Sequence, residues 1–175
     1  MRVLMIIAQK NFRDEELFET KAELEKEGIT VDVASITTET AFGMLGKTAT
    51  PDLAVQDANV DDYAAIVVIG GAGSPLLANH NEVIDLLQDA QRKGKLIASI
   101  CLAGMVLAKA GVLKGKRATV WSSPAFQQSI KTLEAGGCKY VDKKIVEDVN
   151  LVTAFGPDQA KQFGKAIADK LRKVK

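Results

Sequence analysis

Three strand-like runs without polar alternation constrain the fold of this chain more than any other feature. They are Val3–Ala8, Ala64–Ile69 and Lys95–Ile100. A continuous apolar run is typical of a strand covered on both faces, whereas an alternating run has one face in water. A segment with helical periodicity follows each run, and this alternation predicts a mainly parallel sheet between helices. We therefore predict a three-layer α/β/α sandwich in one domain, residues 1–175.

The other elements follow from the same kind of pattern. Five segments are predicted to be helical from their periodicity and their start and stop residues: Asp14–Glu27, Glu82–Lys93, Ala103–Ala110, Ser123–Ala135 and Gly156–Val174. Further strand-like segments are Ile29–Ile36, Arg117–Trp121, Lys139–Val141, Ile145–Val146 and Asn150–Thr153. The stretch Thr37–Asp62 is predicted to be irregular, with room for either a short hairpin or an excursion beside the sheet. Because ligands bind beyond the carboxyl ends of parallel strands, we expect a site where four segments meet, those after Ala8, Ile69, Ile100 and Trp121.

Composition argues against several classes of function. The chain has 23 basic and 22 acidic side chains, so its net charge of +1 implies no basic face for nucleic acid. Two cysteines and one histidine are too few for a disulfide framework or a zinc site. No apolar run approaches the ~20 residues that span a bilayer, and no signal cleavage site is evident. We therefore expect a cytoplasmic protein without a metal and without a membrane or nucleic-acid partner.

The junction after the strand Lys95–Ile100 carries the side chain that we expect to react. Cys101 ends this strand, and the small residues Ala103 and Gly104 follow it before the next helix. A nucleophile on such a tight strand-to-helix elbow lies above the end of the sheet, where the N–H of Leu102 can hold an oxyanion. The helix N-terminus is expected to favour a thiolate. The alternative is that this cysteine is a small buried side chain near a strand end.

Two further groups are expected beside the cysteine. Gly70 and Gly71 follow a buried strand, and their N–H groups could complete an oxyanion hole, with Ala72 in the pocket. The alternative is a turn that needs positive φ.

Glu15 and Glu16 lie in the first turn of the first helix, where the helix dipole alone favours acidic residues. A carboxyl shielded from water has a raised pKa, and could donate a hydrogen bond to a thiolate and then move a proton of the substrate. The pattern does not separate Glu15 from Glu16.

The histidine and the second cysteine have ordinary explanations. His80 could activate a cysteine nucleophile as a base, but its polar neighbours Asn79 and Asn81 favour a solvated cap or turn. Cys138 begins an ordinary strand and is predicted to be structural. Neither residue is therefore placed in the predicted site.

Several segments form a pattern that extends over nearly the whole chain. They are Val3–Ala8, Phe12–Leu17, Ile66–Gly71, Gly94–Cys101 and Ala110–Lys116. With them the chain resembles the PfpI-like intracellular protease and parkinsonism-associated deglycase family, of the class I glutamine-amidotransferase-like superfamily. The resemblance implies a flavodoxin-like fold with a nucleophile elbow at Cys101, a carboxyl at Glu16 that touches the cysteine, and a glycine pair at Gly70 and Gly71. It also implies a homo-oligomer.

The chain departs from the family pattern at two positions. Protease-like members carry histidine directly after the elbow cysteine, where this chain has Leu102. Deglycase-like members often have a histidine in the loop where this chain has Trp121 and Ser122. These departures argue against peptide hydrolysis and predict a drier, more apolar pocket beside Leu102 and Trp121.

The function predicted from these residues is cysteine chemistry on a small molecule. We predict a cofactor-independent enzyme in which Cys101 attacks a reactive carbonyl, such as that of a 2-oxoaldehyde, and Glu16 moves the proton. The N–H groups of Gly71 and Leu102 would hold the oxyanion. The alternatives are a hydrolase or cysteine peptidase acting on a peptide-like substrate, a redox-sensing or stress-response protein whose cysteine is oxidised to sulfenic or sulfinic acid, and a phosphate-binding module.

Overall fold

The structure is a computed structural model that describes residues 1–173. Within them the strands are β1 (Arg2–Ile6), β2 (Lys10–Phe12), β3 (Thr30–Ser35), β4 (Ala41–Gly43), β5 (Thr48–Ala49), β6 (Leu53–Ala54), β7 (Ala65–Val68), β8 (Leu96–Ile100), β9 (Arg117–Ala118), β10 (Lys139–Tyr140), β11 (Ile145–Asp148) and β12 (Leu151–Ala154). The α-helices are α1 (Asp14–Lys26), α2 (Asn81–Arg92), α3 (Gly104–Lys109), α4 (Gln128–Ala135) and α5 (Ala160–Lys173). A seven-stranded sheet has the order β11-β12-β8-β7-β1-β3-β6, and its neighbours are parallel except β11 and β12.

Side chains of the central strands alternate between two apolar layers. In β1, Val3 and Met5 pack with α1 and α5 on one face, whereas Leu4 and Ile6 pack with α2, α3 and α4 on the other. All four side chains are completely buried. Burial of a side chain of this size contributes about 1.5–3 kcal/mol, which is why a continuous apolar run stabilises a strand with helices on both faces. The predicted mainly parallel sheet between helical layers is confirmed.

Two predicted elements differ from the structure. The segment Arg117–Trp121 forms only the two-residue strand β9, which pairs with β10 outside the central sheet. The helix predicted at Ser123–Ala135 begins only at Gln128. Ser123 and Phe126 pair through two backbone hydrogen bonds, of 3.1 and 3.0 Å, and so close a tight turn in place of the first helical turn.

The tract predicted to be irregular, Thr37–Asp62, contains the expected hairpin. Strands β4 and β5 pair antiparallel, β2 joins them as a third strand, and β6 adds to the edge of the central sheet. Asp14 at the start of α1 accepts hydrogen bonds from the N–H groups of Leu45, at 3.0 Å, and Lys47, at 2.9 Å. These two hydrogen bonds hold the hairpin against the amino end of α1.

The last helix follows a short 3-10 turn at Pro157–Gln159 and extends to Lys173. Its predicted end, Val174, lies outside the described residues. No helix within residues 1–173 is long and apolar enough to cross a bilayer.

Candidate active site

Cys101 lies at the sharp junction between β8 and a 3-10 turn that leads into α3. Its backbone φ is +61°, in the left-handed region that non-glycine residues rarely occupy. Such a conformation costs on the order of 1–3 kcal/mol and persists only where the surrounding structure enforces it. Here the chain changes from strand to helical turn within one residue, so the predicted elbow is present at Cys101. Only 8% of the residue is exposed to solvent.

Glu16 comes from the first turn of α1 and is completely buried. Its Oε2 accepts a hydrogen bond of 2.8 Å from the N–H of Gly70. Its Oε1 makes no hydrogen bond of standard geometry within the described residues. Burial raises the pKa of Glu16 from the ordinary 4.5 to about 8, against smaller opposing effects of hydrogen bonding to Cys101 and Gly70 and of the charge on Arg13. The carboxyl is therefore mainly neutral at pH 7.

Glu15 has a different environment from its neighbour. It is partly exposed and forms an ion pair with Arg13, whose Nε and Nη2 donate to its two carboxylate oxygens at 2.9 and 3.1 Å. Hydrogen bonding to this guanidinium lowers the pKa of Glu15 below its ordinary value. The structure thus separates the two acids that the sequence left open, because one is neutral and buried beside Cys101 whereas the other is an ionised partner of Arg13.

The glycine pair allows the backbone to approach the side chains of Cys101 and Glu16 closely. A Cβ atom added to Gly70 would lie 2.5 Å from Glu16 Oε2 and 2.7 Å from Cys101 Cβ, so no side chain fits between them. Gly71 has a φ of +110°, and an added Cβ would lie 2.4 Å from the carbonyl oxygen of Asn11. Only glycine allows this close approach of three chain segments.

The ionisation of Cys101 differs from the sequence-based expectation. Burial raises the pKa of its thiol well above the ordinary value, and a charge on Glu16 raises it further. The N–H groups of Leu102 and Gly71 interact with the sulfur and lower the pKa, but by less. Burial is the largest of these effects, and the helix that follows, α3, has only six residues. Cys101 and Glu16 therefore titrate as a coupled pair whose neutral forms are favoured at neutral pH.

A cavity of about 260 Å³ opens beside this pair. It is lined by Arg13, Met44, Gly71, Ala72, Cys101, Leu102, Trp121 and Pro157. Among the predicted pocket residues, Ala72, Leu102 and Trp121 line it; Glu15 does not. Trp121 reaches the site although β9 is outside the central sheet, because its N–H donates to the carbonyl oxygen of Cys101 at 3.3 Å.

Sequence reasoning missed three lining residues, which come from separate loops: Arg13, Met44 and Pro157. Arg13 directly precedes the acidic first turn of α1, and its position after the first strand was the available signal. Met44 lies in the hairpin that the sequence left irregular. Pro157 follows β12, whose carboxyl end lies beside that of β8.

Other chemically active groups lie away from this cavity. His80 is partly exposed, with its Nδ1 3.5 Å from Glu82, and borders a different cavity. Cys138 is buried in the apolar layer of α2, α3 and α4, where burial raises its pKa to about 11. Residues 1–173 contain no cluster of three or more histidine, cysteine or acidic side chains arranged to hold a metal ion.

Known proteins with similar sequences and structures identify the family of this chain. A sequence model of the DJ-1/PfpI family matches residues 1–170. The chain belongs to the DJ-1/PfpI family. It is 44% identical over 173 residues to an uncharacterised protein of Methanocaldococcus jannaschii, a match that covers 98% of this chain and 83% of the relative. It is 33% identical over 157 residues to a Pyrococcus abyssi protein named as a deglycase, covering 90% of this chain and 91% of that relative.

Solved structures of DJ-1/PfpI proteins have the same fold. A ThiJ/PfpI domain protein from Brachyspira murdochii superposes with a TM-score of 0.93 at 27% identity, covering 99% of this chain and 98% of the other. DJ-1beta of Drosophila melanogaster gives a TM-score of 0.87 at 32% identity, with coverages of 97% and 89%. The family resemblance inferred from the motifs and the flavodoxin-like fold are both confirmed.

Proposed function

We propose that this protein is a cysteine-dependent enzyme that acts on small 2-oxoaldehydes without a cofactor. The proposal is carried by one observation: a strained elbow cysteine lies beside a completely buried carboxyl, whose Oε1 has no hydrogen bond of standard geometry within residues 1–173. A carboxyl held neutral in this way can give a proton to a developing alkoxide and afterwards act as a base. Relatives named as deglycases, in Pyrococcus abyssi and Pyrococcus furiosus, support chemistry at reactive carbonyls.

The reacting form is the one in which Cys101 and Glu16 share a single proton. The sulfur, as thiolate, adds to the aldehyde carbon C1, and the C=O π bond becomes an oxyanion. The N–H groups of Gly71 and Leu102 stabilise this charge. Glu16 transfers its proton to the oxyanion, which gives a hemithioacetal and leaves Glu16 as a carboxylate.

The second stage is an internal redox reaction of the bound substrate. Because its pKa is raised, the Glu16 carboxylate is a stronger base than an exposed carboxylate, and it takes the proton from C1 to give an enediolate. It then returns this proton to C2, while the proton on the C1 oxygen passes to the C2 oxygen. C1 is thereby oxidised to a thioester while C2 is reduced to an alcohol, so no external oxidant is needed. Water cleaves the thioester, releases a 2-hydroxy acid and restores the starting pair.

The alternative functions fit the site less well. Amide cleavage requires an acid that protonates an amine leaving group, and the single histidine of the chain borders another cavity. Oxidation to sulfenic acid is fastest for exposed thiolates, whereas Cys101 is buried and its pKa is raised. The homo-oligomer implied by the resemblance and the cytoplasmic location expected from the sequence stay part of the proposal. Light scattering of the purified protein measures the oligomeric state.

The direct test is conversion of methylglyoxal to lactate by the purified protein. We expect C101S to abolish turnover and E16Q to lower kcat/KM by roughly 10²–10⁴-fold, the usual contribution of a general acid–base. C138S is the matched control, because Cys138 lies outside the cavity. Failure of the wild-type protein to convert methylglyoxal or glyoxal, or full activity of C101S, would refute the proposal.

A further inference from the structure

Arg13 is the charged residue in the lining of the candidate site, within the described part of the chain. The side chains that share the lining with it include those of Met44, Leu102 and Trp121, which are apolar. Its ion-pair partner Glu15 does not line the cavity. The pair therefore presents its cationic member to the space beside the reacting thiol.

The ion pair leaves part of the guanidinium free. Glu15 engages Nε and Nη2 of Arg13, at 2.9 and 3.1 Å, and this two-point contact fixes the plane of the side chain. Nη1 has no hydrogen-bond partner among residues 1–173. A guanidinium has five N–H donors in a rigid fork, so the edge formed by Nη1 and Nη2 matches a carboxylate.

Two features make this edge effective for binding an anion. Arg13 is partly exposed, and the apolar side chains beside it limit the water that competes for its hydrogen bonds on the cavity side. Arg13 and Cys101 also line the same cavity of about 260 Å³. A small molecule in the cavity can therefore touch the sulfur and the guanidinium together.

We propose that Arg13 binds an anionic group of the substrate, so that the preferred substrates are 2-oxoaldehydes that carry a carboxylate. The aldehyde carbon lies at Cys101 and the carboxylate lies on the free edge of Arg13. 4,5-Dioxopentanoate is a compound of this class, and its methyl ester is the matched neutral compound. The identity of the reacting carbonyl rests on the proposed function, whereas the anion site can be tested without turnover.

The test compares the alkylation of Cys101 by iodoacetate and by iodoacetamide, two reagents of nearly equal size that differ in charge. Rates are measured by mass spectrometry in a C138S background, so that Cys101 is the thiol that reacts. We expect the ratio of the iodoacetate rate to the iodoacetamide rate to fall roughly tenfold in R13Q. Loss of one hydrogen bond to a charged group typically changes a binding constant by about that factor. R13K keeps the charge without the fork and should lie between R13Q and the wild type.

R92Q is the matched control, because Arg92 is an exposed arginine paired with Asp89 outside the site. It should leave the reagent ratio unchanged. A ratio in R13Q or in R13K equal to that of the wild type would overturn the proposal, provided that thermal melting shows folded variants. If neither reagent alkylates Cys101, the cavity does not admit a molecule to the sulfur, and both this proposal and the proposed function are refuted.

Turnover separates the two proposals. We expect R13Q to lower kcat/KM for 4,5-dioxopentanoate relative to its methyl ester, again by roughly tenfold. If the wild-type protein prefers iodoacetate in an Arg13-dependent manner but converts no 2-oxoaldehyde, the proposed function fails and the anion site stands. If it converts both compounds with a ratio that R13Q does not change, the anion site fails and the proposed function stands.

Discussion

Replacement of Glu16 by glutamine isolates the effect of burying this carboxyl. Glutamine has nearly the same shape and keeps an oxygen for the N–H of Gly70, but it has no titratable proton. In the wild-type protein the Glu16 carboxyl is completely buried, and its pKa is raised from 4.5 to about 8. The E16Q variant should therefore differ from the wild type in how its stability depends on pH.

The sign follows from proton binding. Between pH 4.5 and 8 the folded protein keeps the Glu16 proton that the unfolded chain releases, so the free energy of unfolding falls as pH rises. The stabilisation is complete below pH 4.5 and is lost as pH rises through about 8. With 1.36 kcal/mol per pKa unit, the wild-type protein should lose about 3–4 kcal/mol from this group between pH 5 and 8.

The measurement is urea denaturation of both proteins at pH 5, 6, 7 and 8. The wild-type free energy of unfolding minus that of E16Q should decrease by about 3–4 kcal/mol over this range. E15Q is the control, because Glu15 is partly exposed and its pKa is lowered by Arg13, so its curve should run parallel to the wild type above pH 5. Parallel curves for E16Q and the wild type would show that Glu16 is ionised in the folded protein and would refute the mechanism.

Three further predictions concern the pH dependence of activity, the turn at Gly71 and a buried hydrogen bond of Thr153. The logarithm of kcat/KM for a 2-oxoaldehyde should rise with unit slope from pH 6 towards 8 and level off near pH 8, because the raised pKa of Glu16 is about 8. A flat profile would contradict a mechanism in which Cys101 and Glu16 must together lose one proton before they react. G71A should be destabilised by at least about 1–3 kcal/mol in urea, since the residue has positive φ and the added Cβ would meet the Asn11 carbonyl oxygen at 2.4 Å; wild-type stability would show that the turn can relax. T153V should lower the free energy of unfolding by about 1–3 kcal/mol, because Thr153 Oγ1 accepts a hydrogen bond of 2.9 Å from the buried N–H of Thr119. S99A on the neighbouring strand removes a hydroxyl without a partner in residues 1–173, so it should be neutral or stabilising. Equal losses of stability in the two variants would contradict this assignment.

The sequence predicted those features that depend on local pattern. Continuous apolar runs specified the central strands because each buries both of its faces, and the small residues after Cys101 specified the elbow. The predicted start of α4 was wrong because Ser123 and Pro124 fit a turn as well as a helix cap. The backbone pairing of Ser123 with Phe126 decides for the turn, and it is not visible in the sequence. The lining by Met44 and Pro157 could not be predicted because it depends on how distant loops meet.

Ionisation was predicted in part. A raised pKa for an acid in the first turn of α1 followed from the idea of a shielded carboxyl, and the structure assigns it to Glu16. The expected thiolate at Cys101 was wrong in direction, because the short helix that follows could be read from the sequence but the extent of burial could not. Burial is a property of the assembled layers, and no local pattern measures it.

The convergence of strand ends at the site also has a consequence for how the protein acquires activity. Glu16 lies in α1 after β2, Gly70 follows β7, Cys101 follows β8 and Pro157 follows β12, so these groups come together only when distant parts of the chain have paired. Before these parts have paired, we expect the thiol of Cys101 to be exposed and to react as an ordinary thiol does. We expect the disappearance of that ordinary reactivity to be one of the last events of refolding, so the reactivity of Cys101 reports completion of the sheet.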